Sequence, residues 1–476
     1  MTTTTITKTQ RWVLGLSSLA SFMVVLDLLV VATALPSIHR DLGASFEDLE
    51  WTVNAYTLSF AVLIMTGAAL GDRLGRRRMF AAGLVLFATA SAACALASSV
   101  GTLVAARTVQ GAGAAMIMPL ALALLNGAFP PERRGWATGV YGSVTALAVV
   151  LGPVLGGAVT QGLAWPWIFW INVPIALLAA PLVITRVPES RRSAARIDVA
   201  GLVLGGLAAT GLVWALVRGN SAGWSSPETI ATAVLGVAAL AAFVAWERRA
   251  PAPMLPLRLF RSRSFSAGNA AMFFLSAAVT GAIFFTAQLF QVGQGLGPLA
   301  AGLRLLPWGV LPMVLAPYAG AVADRMGARN LIVIGTAAFA AGTAGLALVA
   351  APHASYLVLV GPILLSGAGI GVAMPAITRS AVSLVAPPDL AKASGAFSTL
   401  RQLGGAFGVA IGGAVFAATG QYGSAAVYID GFTPAVLIAA TLALGATAAG
   451  LTLPRPAAVT TAAPPARHDV HPIAVD

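Results

Sequence analysis

The sequence predicts an all-α polytopic membrane protein of about fourteen transmembrane helices. Two proportions and one pattern predict it. Of 476 residues, 58% are hydrophobic and only 9% are charged, against about 25% charged in a soluble domain. A surface that apolar cannot stay wet, so lipid must cover much of it. The pattern is a succession of uninterrupted apolar stretches, each near the ~20 residues that cross ~30 Å of hydrocarbon.

The stretches fall near residues 12–36, 51–71, 79–99, 102–126, 138–160, 166–185 and 199–217. The later ones fall near 229–246, 266–292, 299–322, 330–350, 355–378, 392–418 and 432–453. Each is expected to be a helix, because only a helix satisfies its own backbone in lipid. The first ends near Ala32-Thr33-Ala34, which imitates a signal-peptidase site. Yet the run from Trp12 to Pro36 exceeds a signal h-region and contains Asp27, so it reads as a span. The stretches at 266–292 and 392–418 are long enough to tilt or kink and too short to cross twice. The short connections leave no room for a separate soluble catalytic domain. The Pro/Ala-rich tail, 454–476, reads as disordered.

Charge sets the expected orientation. With the N-terminus inside, the outward loops hold Arg40 and Arg218, while Arg107, Arg304 and Arg401 fall within spans. The other 23 of the 28 Lys+Arg then lie on the cytoplasmic side or its boundary. The outward loops carry Asp41, Glu47, Asp48, Glu50, Glu228 and Asp430 instead, which leaves Asp27 as the one acid inside a span. So one-sided a distribution is a topology signal. It accounts for the net charge of +12 without a nucleic-acid partner, and it puts both termini in the cytoplasm of a cell bounded by an inner membrane. The single Cys94 excludes an intrachain disulfide. No phosphate-cradling Gly-x-x-x-x-Gly-Lys-Ser/Thr loop is present, so ATP is not the expected driver. No nucleophile–base constellation suggests an enzyme, and no cofactor or metal is called for.

An internal repeat divides the chain. Asp72-Arg73-Leu74-Gly75-Arg76-Arg77 follows the second span, and Asp324-Arg325-Met326-Gly327-Ala328-Arg329 follows the tenth. Gly139, Gly152, Gly156 and Gly157 in the fifth span recur as Gly395, Gly408, Gly412 and Gly413 in the thirteenth. Two landmarks at nearly one offset imply two homologous six-helix halves, a transporter architecture. The expected domains are a short N-terminus, 1–11; a first half, 12–185; two extra spans, 199–246; and a second half, 265–453.

Several of these segments together carry a family resemblance. The turn after the second span, Ala68-Ala69-Leu70-Gly71-Asp72-Arg73-Leu74-Gly75-Arg76-Arg77, is similar to the Gly-x-Leu-x-Asp-Arg-x-Gly-Arg-Arg motif of the major facilitator superfamily. Arg107-Thr108-Val109-Gln110-Gly111-Ala112-Gly113 resembles the Arg-x-x-Gln-Gly-x-Gly element of its antiporters. Gly152-Pro153-Val154-Leu155-Gly156-Gly157 resembles the signature that separates exporters from importers. Leu26-Asp27 through Leu35-Pro36, and Trp165 through Pro174, are similar to segments of its fourteen-span drug:proton antiporters (EmrB/QacA type). In the first of these, Leu29 and Ala32 stand where Thr and Asn are usual. The resemblance covers roughly residues 12–453 and implies the major facilitator fold, two six-helix halves plus two extra central spans.

Residue chemistry sharpens the expectation. A carboxylate deep in a span costs a few kcal/mol (~2.5–3.5 on insertion scales) and usually faces a cavity and works, so Asp27 is the candidate proton carrier. At 1.5 Å per residue, Asp27 and Arg107 lie roughly 13 and 9 Å below the outer surface, close enough in depth to be partners. The resemblance implies that Asp72, Arg73, Gly75, Arg76 and Arg77, with Asp324, Arg325 and Gly327, form a cytoplasmic gate. It implies that Gly152, Pro153, Gly156 and Gly157 serve both packing and gating. Asn54, Asn269, Gln288, Gln291 and Arg401 are candidate polar groups of the cavity. Arg304 is left without a role. The expected function is proton-coupled efflux of small lipophilic or cationic compounds, drugs or antibiotics among them, with protons and membrane lipid as the other partners. A metabolite facilitator of the same fold and a non-transporting membrane sensor stay open at this point.

Overall fold

The computed structural model describes residues 6–190, 197–382, 385 and 389–454, apart from the side chains of residues 131, 320, 321, 323–325, 382 and 391. Residues 455–476 of the tail lie outside that description. Among the described residues, fourteen helices are long and apolar enough to cross a membrane. They are α1 (Lys8–Leu42), α2 (Phe46–Leu74), α3 (Arg76–Ala95), α4 (Val100–Ala128), α5 (Glu132–Gly162), α6 (Trp167–Arg186) and α7 (Val199–Ala222). The series continues with α8 (Pro227–Glu247), α9 (Arg263–Gly293), α10 (Pro298–Ala319), α11 (Ala328–Val349), α12 (Tyr356–Ala381), α13 (Lys392–Thr419) and α14 (Ala425–Leu451). The two long stretches are single helices, and α9 ends in a π turn, Leu289–Gly293.

Helix starts are fixed by small polar caps, which extend several helices past their apolar stretches. Thr7, Ser45 and Ser99 close capping boxes on α1, α2 and α4, satisfying amides that would otherwise be orphaned. The Ser45–Asp48 box starts α2 five residues before the apolar stretch begins. Glu47, Asp48 and Glu50 therefore sit on a helix, not in the expected outward loop, and Asp41, Glu228 and Asp430 are likewise helical.

The helices have two rims. One bears the tight turns at Gly75 and Gly327 and is rich in Arg; the other bears the turns 43–45 and 420–424 and the acids. We refer to them as the basic and the acidic rim. The first half is α1–α6 and the second α9–α14; α7 packs on α2 and α13, and α8 packs on α7. The halves meet where α2 lies against α13 and α5 against α10.

Small residues make that meeting close. Gly156 lies against Val30 of α1, and Gly157 lies against Pro298 and Leu299 of α10. In return, Gly302 meets the backbone of Pro153 and Gly309 that of Val150. The core follows the same division. Residues near the acidic rim of the first half share one apolar cluster with most of the second half. The basic end of the first half has a separate cluster, from Val13 to Val187. The two halves are thus sealed at the acidic rim, while their cores part toward the basic rim.

Candidate functional site

Four helices of the first half converge on Asp27. The residue is 2% exposed and Arg107 is fully buried, and Arg107 Nη1 lies 2.5 Å from Asp27 Oδ2. Gln110 Nε2 and Asn172 Nδ2 each donate to Oδ1 at 2.8 Å. Ser91 Oγ accepts from both of these amides at 3.3 Å and donates to the carbonyl of Phe169 at 2.9 Å. Arg107 is itself held by the carbonyl of Thr52 at 3.1 Å and by Gln110 Oε1 at 2.7 Å, and it lies 4.2 Å from the Tyr56 ring centroid. A void of about 10 Å³ between α1, α5 and α6 adjoins the carboxylate.

The expected Asp27–Arg107 juxtaposition is present as a direct ion pair. Breaking a buried pair by removing one partner costs about 3–5 kcal/mol, because the other charge is left uncompensated. Sequence reasoning missed Ser91 and Asn172 as parts of this site, and it read Gln110 only as a motif letter. The polar groups absent at Leu29 and Ala32 are supplied from α4 and α6 instead. Asn172 was legible as the single polar residue in an otherwise apolar α6 segment; Ser91 carried no signal.

At the basic rim, Asp72 pairs with Arg76 one turn on, at 2.6 Å. Glu189, just past α6, accepts from the Arg77 backbone amide at 3.0 Å and lies within 3.8 Å of Arg77 and Arg78. Gly75 has φ +110°, which favours glycine, and the Glu189 carboxyl carbon lies 2.8 Å from where a Cβ would stand. Each of these pairs stays within the first half. Glu189 was not a sequence candidate. The partner turn repeats the geometry at Gly327, with φ +76°, while the side chains of Asp324 and Arg325 lie outside the described residues.

The remaining candidates do not gather into one cavity. Asn269 and Gln288 donate to carbonyls one turn back in their own helix, those of Phe265 and Phe284. Gln291 crosses between halves to the carbonyl of Thr33 at 2.9 Å. Asn54 is fully buried, and neither amide atom has a partner among the described residues. Arg304 binds Gln294 Oε1 at 2.7 Å and lies 5.2 Å from the Tyr356 ring centroid.

Asp27 is not the one buried acid. Glu50, expected in a loop, is 2% exposed between the halves, and its Oε1 has no partner among the described residues. It sits against Gly413 of α13, where only a hydrogen leaves it room. Tyr422, in the turn before α14, lies nearby; burial pushes its phenol well above the usual tyrosine range, and Glu50 adds to the effect.

Residues 17–409, most of the chain, match the Major Facilitator Superfamily. The chain belongs to that superfamily. Among relatives of this major facilitator protein is the multidrug resistance protein Stp of Mycobacterium tuberculosis, 36% identical over 86% of this chain and 76% of the relative. The tetracenomycin C resistance and export protein of Streptomyces glaucescens is 36% identical over 83% and 74%. A puromycin resistance protein of Streptomyces alboniger is 35% identical over 91% and 88%. Among solved structures, a POT peptide transporter in complex with sulfate superposes with a TM-score of 0.67 at 15% identity, covering 94% of this chain and 96% of that one. The xylose transporter XylE from E. coli gives 0.63 at 15%, covering 93% and 97%. At such identities the structural likeness speaks for the fold alone.

Proposed function

We propose that this major facilitator protein is a proton-coupled exporter of small lipophilic compounds, antibiotics among them. The observation that carries the reading is the Asp27–Arg107 pair, a carboxylate held by three donors deep inside the first half. The relatives' resistance and export names supply the direction of transport.

In this reading the basic rim faces the cytoplasm, as do both termini, and the described state is closed toward the outside. A proton arriving at Asp27 from outside removes its charge and its hold on Arg107. Arg107 is then a buried cation with no counter-ion, a state several kcal/mol worse, and the first half relieves it by rearranging against the second. Release of the proton to the cytoplasm restores the pair. Two states with different access to one site are what alternating access requires. The Asp72–Arg76 and Glu189–Arg77 pairs brace the turn that moves at the cytoplasmic rim, and the glycines of α5 form the outer seam.

The test is efflux in proteoliposomes under an imposed pH gradient. Asp27→Asn cannot release a proton, so uphill efflux is expected to vanish at matched protein levels while substrate binding persists. Addition of substrate to the purified wild type in weak buffer is expected to release protons, and the variant to release none. Full gradient-driven export by Asp27→Asn would end the assignment.

A further inference from the structure

The seam between α2 and α13 closes over a carboxyl group that the mechanism above does not use. Glu50 is the fifth residue of α2, about one turn below the acidic rim. It is 2% exposed, its Oε1 has no partner among the described residues, and it sits hard against Gly413 of α13. One turn nearer the rim on the same face, Phe46 has the rings of Phe284, Phe285, Phe416 and Tyr422 within 6.3 Å. These rings cover the carboxyl on its rim side. One turn deeper, the buried amide of Asn54 is likewise unpartnered.

Among the described residues, no neighbouring element brings Glu50 a cation. On α2 itself, Glu47 accepts from Ser221 at 2.6 Å and pairs with Arg218 of α7 at 3.3 Å, while Asp48 closes the cap at Ser45. Arg218 is shared further with Glu228 at 3.1 Å. On α1, Arg40 donates to Ser37 Oγ at 3.1 Å, and His39 bonds the carbonyl of Ala44 and lies 5.0 Å from the Tyr422 ring. Tyr428 of α14 donates to the carbonyl of Phe285 at 2.8 Å, and the Tyr422 hydroxyl is unpartnered. The cation of α13, Arg401, stands twelve residues deeper than Gly413, about 18 Å along the helix. A carboxylate cut off from both water and counter-ions takes up a proton and loses its charge. The closed seam therefore holds Glu50 as the neutral acid.

We infer that Glu50 is a second proton site, separate from Asp27: the acidic rim closes over the protonated carboxyl and opens with release of its proton. This rests on the export reading above, in which the acidic rim faces outward and must open. Opening withdraws Gly413 and admits water, and an exposed glutamate ionises above about pH 4.3. The O–H bond of the acid then breaks and its proton passes to outside water; reclosure takes one proton back from the same side. Nothing is carried across, so Glu50 drives no transport and instead makes the gate sense the outer pH. The closed state holds one proton more than the open one. The ratio of closed to open therefore falls about tenfold for each unit that the outer pH rises above ~4.3. The acid outside that loads Asp27 thus also closes the rim behind it.

The test uses the full-length protein in lipid nanodiscs, with Cys94→Ala, and spin labels on Leu96→Cys and Leu357→Cys, exposed positions at the acidic rim of either half. Asp27→Asn is present throughout, so that the first proton site contributes no titration. Electron double resonance between about pH 5 and pH 8 reads the short, closed distance against the long, open one. With Glu50 in place the closed-to-open ratio is expected to fall about tenfold per unit. Glu50→Gln and Glu50→Leu, neutral at every pH, are expected to stay closed with a flat profile, and Glu50→Asp, which keeps the acid, to retain the slope. A slope that survives Glu50→Gln and Glu50→Leu, or populations that ignore pH with Glu50 in place, would overturn the inference. A Glu50-dependent slope in a protein that moves no substrate under a pH gradient would uphold the site and count against the export reading alone.

Discussion

Asn172 and Gln110 each give the Asp27 carboxylate one of its three bonds, and neither carries charge. Asn172→Leu leaves a buried acceptor short of one donor, at a cost of about 1–3 kcal/mol. It is expected to lower gradient-driven efflux severalfold while the protein still inserts, as checked by transport at matched membrane levels. Removing Arg107 is a larger disturbance. Arg107→Gln is expected to lower thermal stability in detergent by several degrees, because it leaves Asp27 as an uncompensated buried charge. Adding Asp27→Asn to it should recover much of the loss, since no charge then remains; a double variant no more stable than Arg107→Gln would contradict the pairing. Glu50 is the converse case, a buried carboxyl without a cation. An amide there is cheaper than an acid that can ionise, so Glu50→Gln should keep or raise the melting temperature. A clear drop would mean that a partner holds Glu50 in another state of the protein.

At the scale of elements, the glycines of α5 and α10 matter through what they let approach. A Cβ on Gly157 would meet the carbonyl carbon of Pro298 at 2.7 Å, and one on Gly302 would meet that of Pro153 at the same distance. Neither neighbour is a flexible side chain that could swing aside. Gly157→Ala and Gly302→Ala are expected to wedge α5 from α10 at the acidic rim and to shift the equilibrium toward a state open there. The shift is measurable as faster labelling of cysteines placed on the α5–α10 seam, with overall expression kept. Unchanged labelling would mean that the seam does not govern the closed state. The repeat extends the same logic to the other contact between halves. Gly413 occupies in α13 the place of Gly157 in α5, but it faces the Glu50 side chain of α2 rather than a backbone. One seam is therefore backbone against backbone, and the other closes over a titratable side chain.

For the whole molecule, the sealed acidic rim makes a test of alternating access. Gln161 Oε1 accepts from the backbone amide of Leu299 at 3.1 Å across the two halves. In a Cys94→Ala background, Gln161→Cys with Leu299→Cys, bridged by a short reducible thiol cross-linker, should block efflux, and reduction should restore it. Continued efflux with the bridge intact would show that this rim need not open. Orientation is tested separately: a tag beside Trp224 should be reached only from outside and one on the C-terminus only from the cytoplasm.

The count of spans, the two-half repeat and the family were legible in the chain itself. Hydropathy and charge act residue by residue against a planar slab, so one dimension of sequence carries them. The same reasoning singled out Asp27 and Arg107, because a charge in a span is expensive wherever its helix is turned. Their companions were not legible. Ser91 and Asn172 look like any polar residue in a small-residue helix until rotation about the helix axis aims them at one carboxylate. Glu50 was misplaced because α2 starts at its Ser45 cap, beyond the apolar stretch, so a boundary drawn by hydropathy set a helical residue in a loop. The placing of Glu50 against Gly413, and the rim at which the halves are closed, depend on contacts between helices far apart in the chain. Tertiary structure alone decided these, because helix rotation and the choice between two packings are set by many small contacts summed across the halves, and no single residue's transfer cost records that sum.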